Sequence, residues 1–395
     1  MRILMLSAEY PPDEGGVGDY TASLARALLD RGHQLHILTH DAGRYTIIGL
    51  NEDRHTPLGG APARWGWELG GAARAAIALL RPDVLHIQYQ TGAYAMRPAI
   101  NLLPRWLRRG GPLLAVTAHD LREPYLFPKA GPLRAWVTRR LIADVDRAIL
   151  TNDADLALAR RWRPDAHGIP IGSNIAVSPP PGYERDAWRA AHGVEPGETL
   201  IVFFGLISAS KGIKTLLEAI DGVHGVRLMV VGGAGSQLAD TVYAAEVAEL
   251  AELDRRVTLL GHLPSEQVSA WLLAADIAAL PFADGASPRR GSLLAALAHG
   301  VPTITTRAAA GETGVVAGAP IVPPPIDRVS ALLVPPMDPA ALRSAIVDIV
   351  GDAGLRTTLA AGGRALAGHV NWDAIALRHE QVYAAPTGRT AHGQD

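Results

Sequence analysis

The sequence has 395 residues, which suits two domains of similar size better than one compact core. Hydrophobic residues make up 48% and charged residues 19%, so there is ample apolar surface to bury and the composition excludes a disordered chain. The formal net charge of −2 argues against a protein whose main partner is nucleic acid. Because there is no cysteine, disulfides, thiolate metal sites and cysteine nucleophiles are excluded.

The apolar run at the amino terminus is too short for a signal peptide, because residues 9–12 (Glu-Tyr-Pro-Pro) cut it off. No stretch of the sequence approaches the roughly 20 apolar residues that span a bilayer. We therefore expect a cytoplasmic protein, and a peripheral membrane contact stays open.

In the first half, short apolar runs alternate with amphipathic stretches, a pattern that predicts parallel α/β structure. A helix is expected at 19–31, ending at Gly32, a residue suited to the position after a helix. Strands are predicted at 2–7, 34–39, 84–88, 113–118 and 148–151.

A proline-rich segment at 178–182 reads as a stiff linker, and the same rhythm restarts after it. Helices are expected from about residue 211, over 240–253 and up to about residue 299, and strands at 200–204, 227–231, 257–260, 277–280 and 303–305. The repeat predicts an α/β protein of two Rossmann-like, doubly wound domains facing a central cleft. Their expected bounds are 1–180 and 181–372, with a disordered tail at 386–395.

Ligands of such sheets bind beyond the carboxyl ends of the strands, so the loops after strands matter most. The first of these, at 10–18, carries Gly15, Gly16 and Gly18 and leads into a helix. Glycines let backbone approach a ligand, and a helix N-terminus offers N–H groups to an anion. An ordinary flexible loop explains the segment equally well, and the glycine spacing does not fit the dinucleotide fingerprint.

Two loops of the second half place cations at expected helix starts, where cations are electrostatically misplaced unless an anion lies nearby. Lys211 ends the segment 203–212, and Arg289 and Arg290 stand in the segment 281–292. Helix starts are predicted at Ser287 or at 291–292. Two arginines there could bind a diphosphate through bidentate hydrogen bonds. Each cation considered alone is more simply explained as a solvated surface residue.

Three other motifs give weaker functional signals. The glycines at 232–235 follow a strand, but the next strand ends in Gly261-His262 without an acidic ribose ligand, which disfavours a nicotinamide site. The pair Asp153 and Asp155 has the D-x-D spacing of some metal sites, yet acids at a helix start simply favour the dipole. The 14 histidines lack metal-ligand spacing; residues 119–120, His-Asp, directly follow a strand and are retained as cleft candidates.

Taken together, these segments resemble the family-four retaining glycosyltransferases of the GT-B fold over nearly the whole chain. The carriers are residues 10–12 and 15–18 of the first loop, residues 116–120 (Val-Thr-Ala-His-Asp), residues 205–212, residues 332–336, the pair 338–339 and residues 369–372 (His-Val-Asn-Trp). The sequence departs from the family in two places. Leu206 replaces the arginine of the family's G-R-x4-K-G segment, and Ser287 and Ala295 stand where its paired glutamates, separated by seven residues, would fall.

The resemblance implies a metal-independent enzyme that transfers a sugar with retention from a nucleotide sugar, or another phosphate-activated donor, without a cofactor. The acceptor is left as a saccharide, a lipid-linked compound or a small molecule, and a helix at about 373–385 is expected to complete the first domain. The expected catalytic residues are His119, Lys211 and Arg290. The expected substrate-binding residues are Gly15, Gly16, Gly18, Asp120, Asn174, Gly205, Ser210, His262, Asp284, Arg289, Gly291, Ser292 and Leu293.

Two other functions remain open at this point. A GT-B protein that has lost catalysis and serves as a binding or scaffold subunit is favoured by Leu206 and Ala295. A sugar-nucleotide epimerase of the same fold would need acidic residues around the sugar, and only Asp120 and Asp284 qualify.

Overall fold

The structure is a computed structural model that describes residues 1–13, 15–41, 43–52, 54–60, 65–107, 111–124, 131–173, 175–235, 238–287, 290–308 and 320–386. The chain divides into two compact units. The first comprises Met1–Ile171, Val316–Ile321 and Trp372–Asp395, and the second comprises Gly172–Val315 and Val322–Asn371. Apart from Pro386, the predicted tail lies outside the described residues.

In the described part of the first unit, eight strands form one sheet in the order β4-β3-β2-β1-β5-β6-β7-β8. Strands β2, β1, β5, β6, β7 and β8 pair with one another in parallel, in that order. Strand β3 pairs antiparallel with β2, and β4 pairs antiparallel with β3 at the edge of the sheet. The strands are β1 (Arg2–Ser7), β2 (Gln34–Asp41), β3 (Arg44–Gly49), β4 (Arg54–Gly60), β5 (Val84–Tyr89), β6 (Leu113–Ala118), β7 (Arg147–Leu150) and β8 (His167–Gly168).

Helices cover both faces of this sheet. Helices α1 and α13 pack on one face through a core that includes Leu24, Leu28 and Ile375. Helices α2 to α5 pack on the other, through a core that includes Ala73, Leu103 and Leu141. The helices are α1 (Gly16–Asp30), α2 (Leu69–Leu80), α3 (Ala99–Leu107), α4 (Gly131–Asp144), α5 (Asp153–Arg160) and, from the end of the chain, α13 (Trp372–Ala384).

The second unit has a wholly parallel sheet of six strands among its described residues, in the order β11-β10-β9-β12-β13-β14. The strands are β9 (Thr199–Phe204), β10 (Val226–Val231), β11 (Val257–Gly261), β12 (Ile277–Leu280), β13 (Thr303–Thr306) and β14 (Leu332–Val334). The helices are α6 (Arg185–Ala191), α7 (Ile213–Ile220), α8 (Leu238–Glu252), α9 (Ser265–Ala274), α10 (Gly291–Ala298), α11 (Pro339–Gly351) and α12 (Ala353–Gly368).

The predicted doubly wound α/β fold is confirmed in both units. Strand order reverses direction between β1 and β5 in the first unit and between β9 and β12 in the second. Neighbouring loops leave in opposite directions at such a point, which opens a crevice beyond the strand ends where ligands bind. In the described part of the chain, no helix is both long and apolar enough to cross a membrane.

Candidate functional site

Glycines bring the loops of the second unit together at its reversal point. Gly205 follows β9 at a φ of 145°, and a Cβ on Gly232, which follows β10 at a φ of 139°, would lie 1.9 Å from the carbonyl oxygen of Gly205. A Cβ on Gly205 would lie 3.6 Å from Oγ of Ser292 in the first turn of α10. Only glycine adopts these backbone angles at this spacing, so the β9 and β10 loops and α10 meet closely.

The segment before α7 is anchored to the loop after β12. Residues 209–211 form a short 3-10 turn, and α7 itself begins at Ile213, slightly later than the sequence indicated. Gly212 is left-handed at a φ of 70°, and a Cβ there would lie 1.9 Å from the carbonyl oxygen of Pro281. The backbone N–H of Ala283 donates to the carbonyl of Ser210 at 2.9 Å. These contacts fix Lys211 beside the end of β12.

The two predicted catalytic cations of this unit both lie against the ring of Phe282. Lys211 Nζ is 5.3 Å from the ring centroid, and Cζ of Arg290 is 4.7 Å from it. Asp284 forms an ion pair with Arg290. Burial first, and the Arg290 guanidinium second, lower the pKa of Lys211, while Asp284 partly opposes that shift. Two cations and one carboxylate leave a net positive site, suited to an anion.

The remaining predicted residues of this unit differ in surroundings. Helix α10 starts at Gly291, the second of the two predicted starts. Leu293 is buried in the core, where it holds α10 in place. His262 is exposed after β11, with its backbone nitrogen 3.9 Å from the position of a Cβ on Gly233. Asn174 and Arg289 lie outside the described residues.

The two positions that depart from the family pattern have opposite environments. Leu206 is 53% exposed, whereas Ala295 is fully buried within α10. A glutamate at Ala295 would place a carboxylate among apolar side chains, a costly arrangement without a partner. The core therefore accommodates alanine there.

In the first unit, the loop after β1 folds around a glutamate that sequence analysis overlooked. A Cβ on Gly15, the N-cap of α1, would lie 2.0 Å from Oε2 of Glu9, and one on Gly18 would lie 3.2 Å from the carbonyl carbon of Glu9. Gly16 has open space around it. Oε2 of Glu9 is buried and has no hydrogen-bond partner within the described residues. An unsatisfied buried carboxylate oxygen is a candidate acceptor for a ligand hydroxyl.

His119 directly follows β6, and its backbone N–H extends the ladder to Tyr89 at 2.8 Å. The Tyr20 ring of α1 packs edge-on against its imidazole, with centroids 4.6 Å apart. Nε2 of His119 lies 3.4 Å from Oε1 of Gln88. Burial first, and His379 second, lower the pKa of His119 to about 3, so its imidazole is neutral at pH 7.

A buried polar network behind His119 connects the sheet to α13. Tyr383 and the amide of Gln88 both approach Nδ1 of His86, at 2.6 and 3.5 Å. Nε2 of His86 is 2.9 Å from the Thr117 hydroxyl, which lies 3.5 Å from Nε2 of His379. These contacts join His86, Thr117 and His379 into one buried network.

Asp120 and the D-x-D pair perform structural tasks. Asp120 accepts from the backbone N–H groups of Thr91 and Arg122, at 3.3 and 3.4 Å, and so joins the loops after β5 and β6. Asp153 accepts from the N–H of Ile321 at 2.9 Å. Asp155 belongs to the capping turn of α5, where its N–H donates to the Asn152 side chain at 2.9 Å.

Two family models match the chain. The first, described as a glycosyl transferase 4-like domain, matches residues 15–172. The second, described as glycosyl transferases group 1, matches residues 198–352. The chain is 26% identical to a D-inositol 3-phosphate glycosyltransferase of Xylanimonas cellulosilytica over 98% of this chain and 97% of the relative. It is 25% identical to the protein of the same name from Corynebacterium urealyticum, over 97% and 95%.

Solved structures share the fold. A sucrose-phosphate synthase from Thermosynechococcus elongatus matches with a TM-score of 0.67 and 24% identity, over 97% of this chain and 98% of that one. Anabaena HepE in complex with UDP-glucose matches with a TM-score of 0.64 and 16% identity, over 98% and 100%. The chain belongs to the family-four glycosyltransferases, with the GT-B fold.

Proposed function

We propose that this glycosyltransferase moves a sugar from a nucleotide sugar to a hydroxyl of its acceptor, with retention at the anomeric carbon and without a metal ion. The observation that carries the proposal is the placement of Lys211 and Arg290 against Phe282 at the reversal point of the second unit. Fixed cations at that crevice match the charge of a diphosphate.

In this proposal the two cations act on the leaving group. As the bond between the anomeric carbon and the phosphate oxygen breaks, negative charge grows on the diphosphate. The Lys211 ammonium and the planar fork of Arg290 stabilise that charge in the transition state. Asp284 keeps Arg290 oriented before the donor arrives.

The first unit supplies groups for hydroxyls. In the neutral imidazole of His119, Nε2 donates a hydrogen bond to Oε1 of Gln88. Nδ1 is then an acceptor for a sugar hydroxyl. Glu9 accepts a hydrogen bond from an acceptor hydroxyl through its unpaired Oε2. No protein nucleophile is invoked, because the leaving phosphate itself takes the proton of the attacking hydroxyl and the new bond forms on the face that it leaves.

The donor class is supported by neighbours of the same fold. Anabaena HepE is described in complex with UDP-glucose, and starch synthase IV of Arabidopsis thaliana with ADP and acarbose. Two relatives that match nearly the whole chain are named D-inositol 3-phosphate glycosyltransferase. We therefore propose a nucleoside diphosphate sugar as donor and a polyol or saccharide as acceptor.

A catalytically lapsed binding protein is the second candidate, since Leu206 is uncharged and Ala295 is buried. One experiment separates the two functions. The protein is incubated in EDTA with UDP-, ADP- and GDP-glucose and a panel of polyols and saccharides, and the products are followed by proton and phosphorus NMR. Transfer should release a nucleoside diphosphate and give an α-glucoside. Donor binding with no release from any donor would favour the lapsed protein, and a β-glucoside would contradict retention.

A further inference from the structure

Helices α2, α3 and α4 expose aromatic rings that a water-soluble surface normally buries. Trp67, just before α2, is 61% exposed, Trp106 on α3 is 36% exposed and Trp136 on α4 is 44% exposed. Leu133 lies one turn before Trp136 and is also exposed. Clustered exposed apolar side chains mark interaction sites, whereas single ones are ordinary.

Contacts join Trp67 to Trp106, and join α3 to α4, which carries Trp136. The Trp67 and Trp106 ring centroids are 5.6 Å apart. Arg105, next to Trp106, lies 4.0 Å from Asp144 of α4, and Arg140 donates to the same carboxylate at 2.7 Å. Trp136 precedes Arg140 by one helical turn, so the surface runs from Trp67 across α3 onto α4. We name it the Trp-Arg surface.

The charge of this surface is net positive. The three helices contain five arginines, Arg74, Arg105, Arg134, Arg139 and Arg140, and the acids beside them are Asp144, Glu68 directly before α2, and Glu123, which pairs with Arg134. Arg74 and Arg139 are exposed. Helix α8 of the second unit gives the contrast, because its exposed Leu238 accompanies four acids, Asp240, Glu246, Glu249 and Glu252, and no base.

We propose that the Trp-Arg surface binds the headgroup region of an anionic lipid bilayer. Tryptophan rings prefer the boundary between water and hydrocarbon, and arginine lays its apolar stem on that boundary while its guanidinium contacts phosphate. A cationic surface with interfacial aromatics therefore complements an anionic membrane. The helices that carry this surface pack on the sheet face opposite to α1 and α13, so binding leaves the α1 face, with Tyr20, uncovered.

The test is cosedimentation of the full chain with vesicles of phosphatidylcholine alone, or of phosphatidylcholine mixed with phosphatidylglycerol, at low and high salt. Wild type should bind the mixed vesicles only, with a blue shift of tryptophan emission, and binding should weaken as salt rises. Arg74→Gln/Arg139→Gln should weaken binding about fivefold for each charge removed. Trp67→Ala/Trp136→Ala should weaken it at least about tenfold.

Matched controls lie on the second unit. Leu238→Ala/Leu253→Ala removes two side chains that are 80% and 85% exposed, and Arg255→Gln/Arg307→Gln removes two exposed charges. Both should bind like wild type. Circular dichroism checks that each variant folds. If the tryptophan variant does not fold, the binding of the arginine variant alone tests the proposal. Equal binding of the arginine variant and wild type, or absence of binding to the mixed vesicles, would overturn the assignment.

Discussion

The hydroxyl of Tyr383 lies 2.6 Å from Nδ1 of His86, across 297 positions of the sequence. The contact links α13 to β5 inside the first unit. Nδ1 of His379 donates to the carbonyl of Ile375 at 2.8 Å, so its Nε2 is the acceptor for Thr117. Gln88 contacts both His86 and His119, so the network runs from α13 to the imidazole of His119. Helix α13 thereby helps to position His119.

Histidines buried in the neutral form make stability fall in acid. Burial lowers the pKa of His379 to about 4, whereas its ordinary value is 6.5. The unfolded chain therefore takes up a proton below pH 6.5 that the folded chain refuses until about pH 4, and stability is lost across that window. Between pH 7 and 5 the free energy of unfolding of His379→Gln should drop about 2 kcal/mol less than that of wild type.

Urea unfolding at the two pH values measures this difference. His224→Gln is the control, since His224 is exposed on the second unit. An identical pH dependence for wild type and His379→Gln would show that His379 is not held neutral.

Glycine at position 15 gives a second test, because a Cβ there would lie 2.0 Å from Oε2 of Glu9. Gly15→Ala should displace the Glu9 carboxylate and lower the rate of transfer at least about tenfold, while the rotatable side chain keeps the stability cost small. Gly71→Ala is the control, since Gly71 has open space in α2. Steady-state rates and melting temperatures are compared. Full activity in Gly15→Ala would remove Glu9 from the reaction.

The fold followed from sequence patterns more fully than the site did. Strand β1 was predictable because an apolar run and a helix signal adjoin it, whereas β3 and β4 were missed because no helix separates them from β2. Lys211 and Arg290 were predictable as cations at helix starts. Glu9 could have been found as the first acid after a buried strand, two residues beyond its end. The pairing of His86 with Tyr383 has no local signal, because it arises only when the last helix returns to the first sheet.

The Arg289-Arg290 pair should compensate for the uncharged Leu206. Arg289→Ala/Arg290→Ala should weaken both donor affinity and turnover, and Arg290→Lys alone should also be impaired, since an ammonium lacks the planar fork. Calorimetry with UDP at two salt concentrations measures the contact, which should weaken in wild type as salt rises. A double variant with unchanged affinity and salt response would rule out the compensation.

Lys211 should be unfavourable for stability, because its lowered pKa means that the fold disfavours its charged form. Wherever the ammonium is charged in both the folded and the unfolded chain, that penalty is present in full. Lys211→Met should therefore be at least as stable as wild type in urea. Lys214→Met, which removes the exposed ion pair with Glu246, should change stability little. A clearly destabilised Lys211→Met would make Lys211 a structural residue.

The most direct test of this mechanism is the rate of nucleoside diphosphate release by Lys211→Ala, measured in EDTA with the best donor. A charge-assisted contact to the developing phosphate is worth about 1.5–3 kcal/mol, so the rate should fall roughly tenfold to a hundredfold or more. Lys214→Ala should retain the wild-type rate, and wild type should need no added metal. Equal rates for Lys211→Ala and wild type, or activity that requires magnesium or manganese, would contradict the mechanism.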